Sequence, residues 1–221
     1  MPAVRRPAIT AGILGVAYVG FSIAVAAGLM RRFDLDVASS FGTLYVPALL
    51  PVFRLVALLG GVELTCLLGL GLFIYLWRQG YRLGAFAAAA VPLSSLVELI
   101  YKHTINHPPP PLSMSHPDGP SLSSLLTRVA GTESSFPSGH LTRSLVIYGL
   151  LAFVVVRLAD RPLLRRLAFP FALLLVLLEA FDRLYLEVHW ESDVIGGLLL
   201  GATFLAASIS WLEWSEARTT V

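Results

Sequence analysis

The sequence predicts an all-α fold, a bundle of six transmembrane helices with a long loop between the third and the fourth. Two bulk observations carry that prediction. Mean hydropathy is +0.76 and only 14% of residues are charged, against about 25% in soluble domains. Apolar runs long enough to cross a bilayer, each needing roughly 20 residues, recur along the 221 residues with short polar breaks between them. The third observation is the exception: residues 103–136 hold the run Pro108 to Pro111, several serines, Pro117, Gly119 and Pro120, the composition of a loop.

Arg5 and Arg6 precede the first span, about residues 8–30, which stops at Arg31 and Arg32. Its length, and arginines where a cleavage site would stand, distinguish it from a signal peptide. Residues 33–54, with Asp34, Asp36, Pro47 and Pro51, read as a mixed connector, part of it along the interface. The second span covers about 55–77, with Glu63 inside it and Trp77 at a position suited to the interfacial ring. After the short turn from Arg78 to Arg82 comes the third span, about 83–101. Beyond the loop, in which a short amphipathic helix is expected near 122–129, spans follow at about 139–156, 163–181 and 193–212. Residues 1–221 thus read as a single integral membrane domain. Its lone cysteine, Cys66, excludes an intrachain disulfide. A net charge of +2, spread over several loops, gives no nucleic-acid surface.

Six spans put both termini on one side. With the termini cytoplasmic, the inner segments hold Arg5, Arg6, Arg78, Arg82, Arg157, Arg161, Arg165, Arg166 and Arg218. The outer ones hold Arg31, Arg32, Arg54 and Arg128, together with Lys102 and Arg183. Basic residues concentrate on the cytoplasmic side, so the long loop is expected to be extracytoplasmic in a multi-pass protein of the cell membrane.

Chemistry-bearing residues cluster in two places. Phe136-Pro137-Ser138-Gly139-His140 opens an apolar run, which places an imidazole in the first turn of a helix, and helix N-termini hold anions. Downstream, Arg183 precedes His189 by six positions and His189 precedes Asp193 by four, the spacing that lets a carboxylate meet an imidazole on one helix face. An imidazole oriented in that way is a base or a nucleophile.

These residues resemble the type-2 phosphatidic acid phosphatase superfamily, whose signature is Lys-x6-Arg-Pro, Pro-Ser-Gly-His and Ser-Arg-x5-His-x3-Asp. The second piece is met by Pro137, Ser138, Gly139 and His140, and the third by Arg183, His189 and Asp193. In the first, Lys102 and Pro110 stand at the family positions while Pro109 replaces the arginine; Asp182 replaces the serine of the third. The resemblance covers roughly residues 95–205 and implies a metal-independent lipid phosphate phosphatase with no cofactor. It implies His189 as a nucleophile forming a phosphohistidine, Asp193 as the carboxylate that orients it, and His140 as acid and then base. Lys102, Arg183, Ser138 and the backbone at Gly139 are implied as the phosphate clamp. The implied substrate is a lipid phosphomonoester or diphosphate, of the phosphatidic acid, phosphatidylglycerol phosphate or undecaprenyl diphosphate type, and the partners are membrane lipids.

Other residues bear on that clamp. Arg143, three residues after His140 on the same helical face, is expected to restore the charge lost at Pro109, because a membrane-embedded arginine is costly unless it faces a polar site; a snorkelling interfacial arginine is the competing reading. Lys102 is also placed to pair with Glu98, and Glu179 to orient Arg183, each one helical turn apart. His103 and His107 have helical metal-ligand spacing, but Pro108 follows at once, so with His116 they read as loop histidines. Tyr185 and Trp190 read as lipid-packing or interfacial aromatics. Two further functions stay open: a phosphotransferase using the same intermediate, and a catalytically silent member that binds or transports lipid, for which Pro109 and Asp182 speak.

Overall fold

The computed structural model describes residues 2–118, 121, 122, 125, 129, 131 and 134–219. Helices follow in the order α1 (Pro2–Ala26), α2 (Arg31–Gly42), α3 (Leu50–Val56), α4 (Val62–Arg78), α5 (Ala90–Thr104), α6 (Gly139–Leu158), α7 (Pro162–Tyr185) and α8 (Glu191–Thr219). Single 3-10 segments lie at Pro47–Leu49, Ala57–Leu59 and Gly84–Ala89. No β-strand occurs among the described residues. By length and composition five stretches among the described residues can cross a membrane: Val4–Ala26, Pro47–Arg78, Gly84–Thr104, Gly139–Leu158 and Glu191–Arg218. The run expected over 163–181 lies in α7, a 24-residue helix with Arg165 and Arg166 near its start and Glu179, Asp182 and Arg183 near its end. The helix expected near 122–129 falls largely outside the described residues.

Three boundaries differ from the pattern of apolar runs, each for a local reason. The first helix ends at Ala26 rather than at residue 30, because Gly28 adopts the left-handed conformation (φ +74°) and Leu29 N–H reaches back to the Ala24 carbonyl at 3.0 Å, the Schellman arrangement that closes a helix. The connector after it is largely helical: α2 brings buried Asp34 to the start of α8, where its carboxylate accepts from Ser192 N–H at 2.8 Å and Ser192 Oγ at 2.9 Å. The second span begins earlier, at Pro47, and is broken at Gly60 and Gly61. A break inside an apolar run frees carbonyls that must find donors. Tyr148 Oη donates to Leu59 O at 2.8 Å, Arg143 Nε to Gly60 O at 3.2 Å, and Thr65 Oγ1 to Gly61 O at 2.7 Å.

The helix α6 is the axis of the bundle. Of its apolar window 61% is buried, against 17% for α1, which exposes Ile9, Ile13, Val16 and Ile23 to the surroundings. It packs on α4, α5, α7 and α8, and α8 in turn carries α1. Small residues let α6 and α8 approach closely. A β-carbon on Gly197 would stand 2.5 Å from the Ser138 carbonyl oxygen, and one on Gly201 2.9 Å from that of Thr142. Thr142 Oγ1 closes the contact with hydrogen bonds to Ser138 O at 3.0 Å and Gly197 O at 3.2 Å. As a result the C-terminal ends of α5 and α7 and the N-terminal ends of α6 and α8 meet at one end of the bundle. The other end gathers Arg78, Arg157, Arg165, Arg166 and Arg218.

Because the neighbour at Gly197 is backbone and cannot rotate away, Gly197→Ala is expected to cost about 1–3 kcal/mol and to lower the thermal unfolding midpoint in detergent. Gly20→Ala, at a position with nothing within 4 Å, is the matched control and should leave the midpoint in place.

Candidate active site

Asp193 sits in the first turn of α8 and has no exposed surface. Its Oδ2 accepts the Trp190 N–H at 2.9 Å, the third-residue carboxylate bonding back to the N-cap as in a capping box. The same oxygen faces His189 Nδ1 at 3.3 Å, while Oδ1 faces His107 Nδ1 at 3.0 Å. With Nδ1 turned to a carboxylate, Nε2 of His189 is the nitrogen left for chemistry. Burial pushes the His189 pKa below the ordinary imidazole value; Asp193 works against that shift, and the charges of Lys102 and Arg183 add to it. A neutral, carboxylate-backed imidazole can act as a base or attack an electrophile.

His140 is the second residue of α6, half-buried. The break at Gly60 lies against it: a β-carbon there would come within 2.9 Å of His140 Cβ and 2.7 Å of Glu179 Oε1. The charges of Arg183, Arg143 and Lys102 reach His140, and so does the His189 ring. The two imidazoles singled out by spacing are therefore brought to one place, one from the first turn of α6 and the other from the turn between α7 and α8.

The cations lie around them. Lys102 Nζ is 3.1 Å from Glu98 Oε1, the pair expected from their spacing, and the Arg143 guanidinium is 2.8 Å from Glu98 Oε2. That carboxylate packs directly on Gly139, where any β-carbon would collide with it, so the first residue of α6 has to be glycine while Glu98 holds this position. Arg143 is 2% exposed and its Nη2 is buried without an acceptor among the described residues. Ser138 Oγ is in the same condition. The Ser138 N–H donates to Asp193 O at 2.9 Å, so free backbone donors at this helix start begin at Gly139, not at Ser138. Arg183, 1% exposed, is engaged by carboxylates: Asp118 at 2.6 and 3.2 Å, Asp182 through Nε at 2.8 Å and also through Nη2, and Glu179 at 3.5 Å. A charge at Asp182 next to a would-be anion ligand is thus offset by Arg183 itself.

Several side chains have roles the residue pattern did not reveal. His103 is exposed, His116 stacks on Tyr45 at 3.8 Å and His107 turns to Asp193, so the three histidines do not converge on one point. Tyr185 is 3% exposed, stacked on Phe53 at 3.9 Å, with its hydroxyl bonded to Val46. Trp190 Nε1 donates to Pro108 O at 2.7 Å. Both aromatics are tied into the protein rather than left to the lipid. Asp34, Glu98, Asp118, Gly60 and His107 reach the site from outside its motifs, and of these only Glu98 had a local signal, its one-turn spacing from Lys102.

Fold and site together define a multi-pass, all-helical membrane protein with two histidines and a ring of paired cations at one end of the bundle. The family model of the PAP2 superfamily matches residues 82–217, more than half of the chain, and the chain belongs to that superfamily. It is 34% identical over 70 residues to phosphatidylglycerophosphatase B of Bacillus subtilis (strain 168). That match covers 30% of this chain and 34% of the relative, about a third of its length. The fold is similar to the solved structure described as the first transmembrane PAP2 type phosphatidylglycerolphosphate phosphatase from Bacillus subtilis. The TM-score is 0.73 at 20% identity, over 95% of this chain and 96% of that one.

Asp193→Ala leaves two imidazoles and the Trp190 N–H without their acceptor. The expected cost is about 3–5 kcal/mol, read as a lower thermal midpoint; a midpoint equal to that of the unmutated protein would show that Asp193 does not hold this end of the bundle together.

Proposed function

We propose that this chain is an integral membrane phosphatase that hydrolyses a lipid phosphomonoester or lipid diphosphate through a phosphohistidine on His189, without a metal. The observation that carries the reading is a pair of donors, Ser138 Oγ and Arg143 Nη2, buried at the start of α6 with no hydrogen-bond partner among the described residues. Unpaired buried donors are costly, and beside two histidines and Lys102 they suit an acceptor-rich anion such as a phosphate. Membership of the PAP2 superfamily and the partial likeness to a phosphatidylglycerophosphatase support the same class of substrate.

In this reading His189 Nε2 attacks phosphorus as the bond to the lipid oxygen breaks, and His140 gives that oxygen its proton. His140 then takes a proton from water, whose oxygen displaces the histidine nitrogen and releases inorganic phosphate. Charge on the transferring oxygens is met by Lys102, Arg143 and Arg183, by Ser138 Oγ and by the Gly139 N–H. Arg143 supplies the charge that Pro109 lacks. An incoming phosphate takes over from Glu98 and Asp118, the carboxylates now holding those cations. The helix α7 is taken as a sixth span, which puts the termini and the arginine-rich end in the cytoplasm and the site at the outer headgroup level. Phosphatidylglycerol phosphate heads the substrate list, followed by phosphatidic acid and undecaprenyl diphosphate. A second reading, lipid binding without turnover, is favoured by the full engagement of Arg183 with three carboxylates.

Purified protein in detergent and EDTA is expected to release phosphate from at least one lipid of such a panel, and His189→Ala to abolish the release. No release by folded protein would favour the binding reading, and phosphorylated acceptor in place of free phosphate would favour transfer. Arg143→Ala removes a charge-assisted contact of about 1.5–3 kcal/mol, so kcat/KM should fall about 10- to 100-fold; unchanged kinetics would return Arg143 to a structural role.

A further inference from the structure

The carboxylate behind His189 has a second imidazole on its other oxygen. His107, in the segment after α5, turns Nδ1 to Asp193 Oδ1 at 3.0 Å and Nε2 to Asp34 Oδ2 at 3.6 Å. Both ring nitrogens face carboxylates, and only the imidazolium carries a proton on each. The side chains are 15%, 0% and 4% exposed for His107, Asp193 and Asp34, so water screens the three charges little. The backbone and the ring of His107 have further contacts. Ser135 N–H and Oγ hold the His107 carbonyl at 2.9 and 3.0 Å, and the Phe136 ring meets the imidazole nearly edge-on, centroids 6.3 Å apart. Asp34 is itself pinned by two bonds from Ser192. Burial opposes a charge on His107, but the hydrogen bonds and charges of Asp193 and Asp34 outweigh it and push the pKa up to about 9.

We propose that His107 is a positioning residue for His189: clamped as an imidazolium between Asp34 and Asp193, it fixes Asp193 in place and takes up part of its negative charge. A carboxylate shared between two imidazoles draws a proton onto either one less strongly than a carboxylate devoted to one. His107 thereby keeps His189 neutral, and so able to attack, at lower pH. The other groups acting on His189 are Lys102 and Glu98 from α5, His140 from α6 and Arg183 from α7, and none of them is altered when His107 is changed. The catalytic consequence rests on the phosphohistidine reading above; the electrostatic one does not.

The test is an NMR titration of isotope-labelled imidazoles in the purified full chain in detergent, without substrate. There are five histidines, and His189→Ala assigns its signal by absence. His107→Gln keeps a donor for Asp193 but cannot carry charge, and it should raise the pKa of His189 by about 0.5–1 pH unit. The acid limb of phosphate release should move up by the same amount. Asp34→Asn should lower the titration of His107 and raise that of His189, by less than His107→Gln does. A His189 titration that stays in place in folded His107→Gln overturns the proposal, since a merely structural histidine would lower the thermal midpoint and leave His189 alone. If that variant does not fold, unchanged His107 and His189 titrations in Asp34→Asn overturn it. Should the unmutated protein release no phosphate while His189 still shifts, the phosphatase reading falls and the positioning role stands.

Discussion

A carboxylate with no exposed surface is stable as an anion only when donors surround it, and Asp193 has three: the Trp190 N–H, His189 and His107. Its backbone carbonyl adds a fourth tie, to Ser138 N–H. One residue thus joins the start of α8 to the start of α6, to the segment leaving α5 and to the turn after α7. Asp34 extends the same network to α2 through Ser192 and His107. The relative placement of both histidines depends on these bonds, because His140 opens α6 while His189 lies in the turn between α7 and α8, and they have no covalent reason to be near each other.

Close helix approach is the second condition. The contact between α6 and α8 runs through glycines whose β-carbons would meet backbone carbonyls, and Gly139 leaves room for the Glu98 carboxylate against the first turn of α6. That carboxylate holds Lys102 and Arg143 side by side. Two cations that would otherwise repel are kept together by one anion, in the same way that Arg183 is kept buried by Asp118, Asp182 and Glu179.

The sequence pattern reveals the parts of this arrangement that depend on local spacing. A carboxylate four residues after an imidazole at a helix start will meet it, and Lys102, His140 and Arg183 each stand where an apolar run begins or ends, at what proves to be one end of the bundle. What spacing does not reveal is closure by residues far apart in the chain. His107 reads as a loop histidine until the segment after α5 is laid against α8, and Asp34 reads as connector polarity until α2 docks. Gly28 and Gly60 look like ordinary members of apolar runs. Only the left-handed turn at the first, and the packing of His140 and Glu179 against the second, give them meaning.

The chemistry proposed for this end of the bundle requires a covalent bond from His189 to phosphorus. A phosphate-labelled lipid mixed with excess protein for a single turnover, quenched in base and digested, tests that bond directly, since phosphohistidine survives base and is lost in acid. The expected result is acid-labile label on the peptide carrying His189, and none in His189→Ala. Turnover with no trapped label under any quench, or label on another residue, would contradict it.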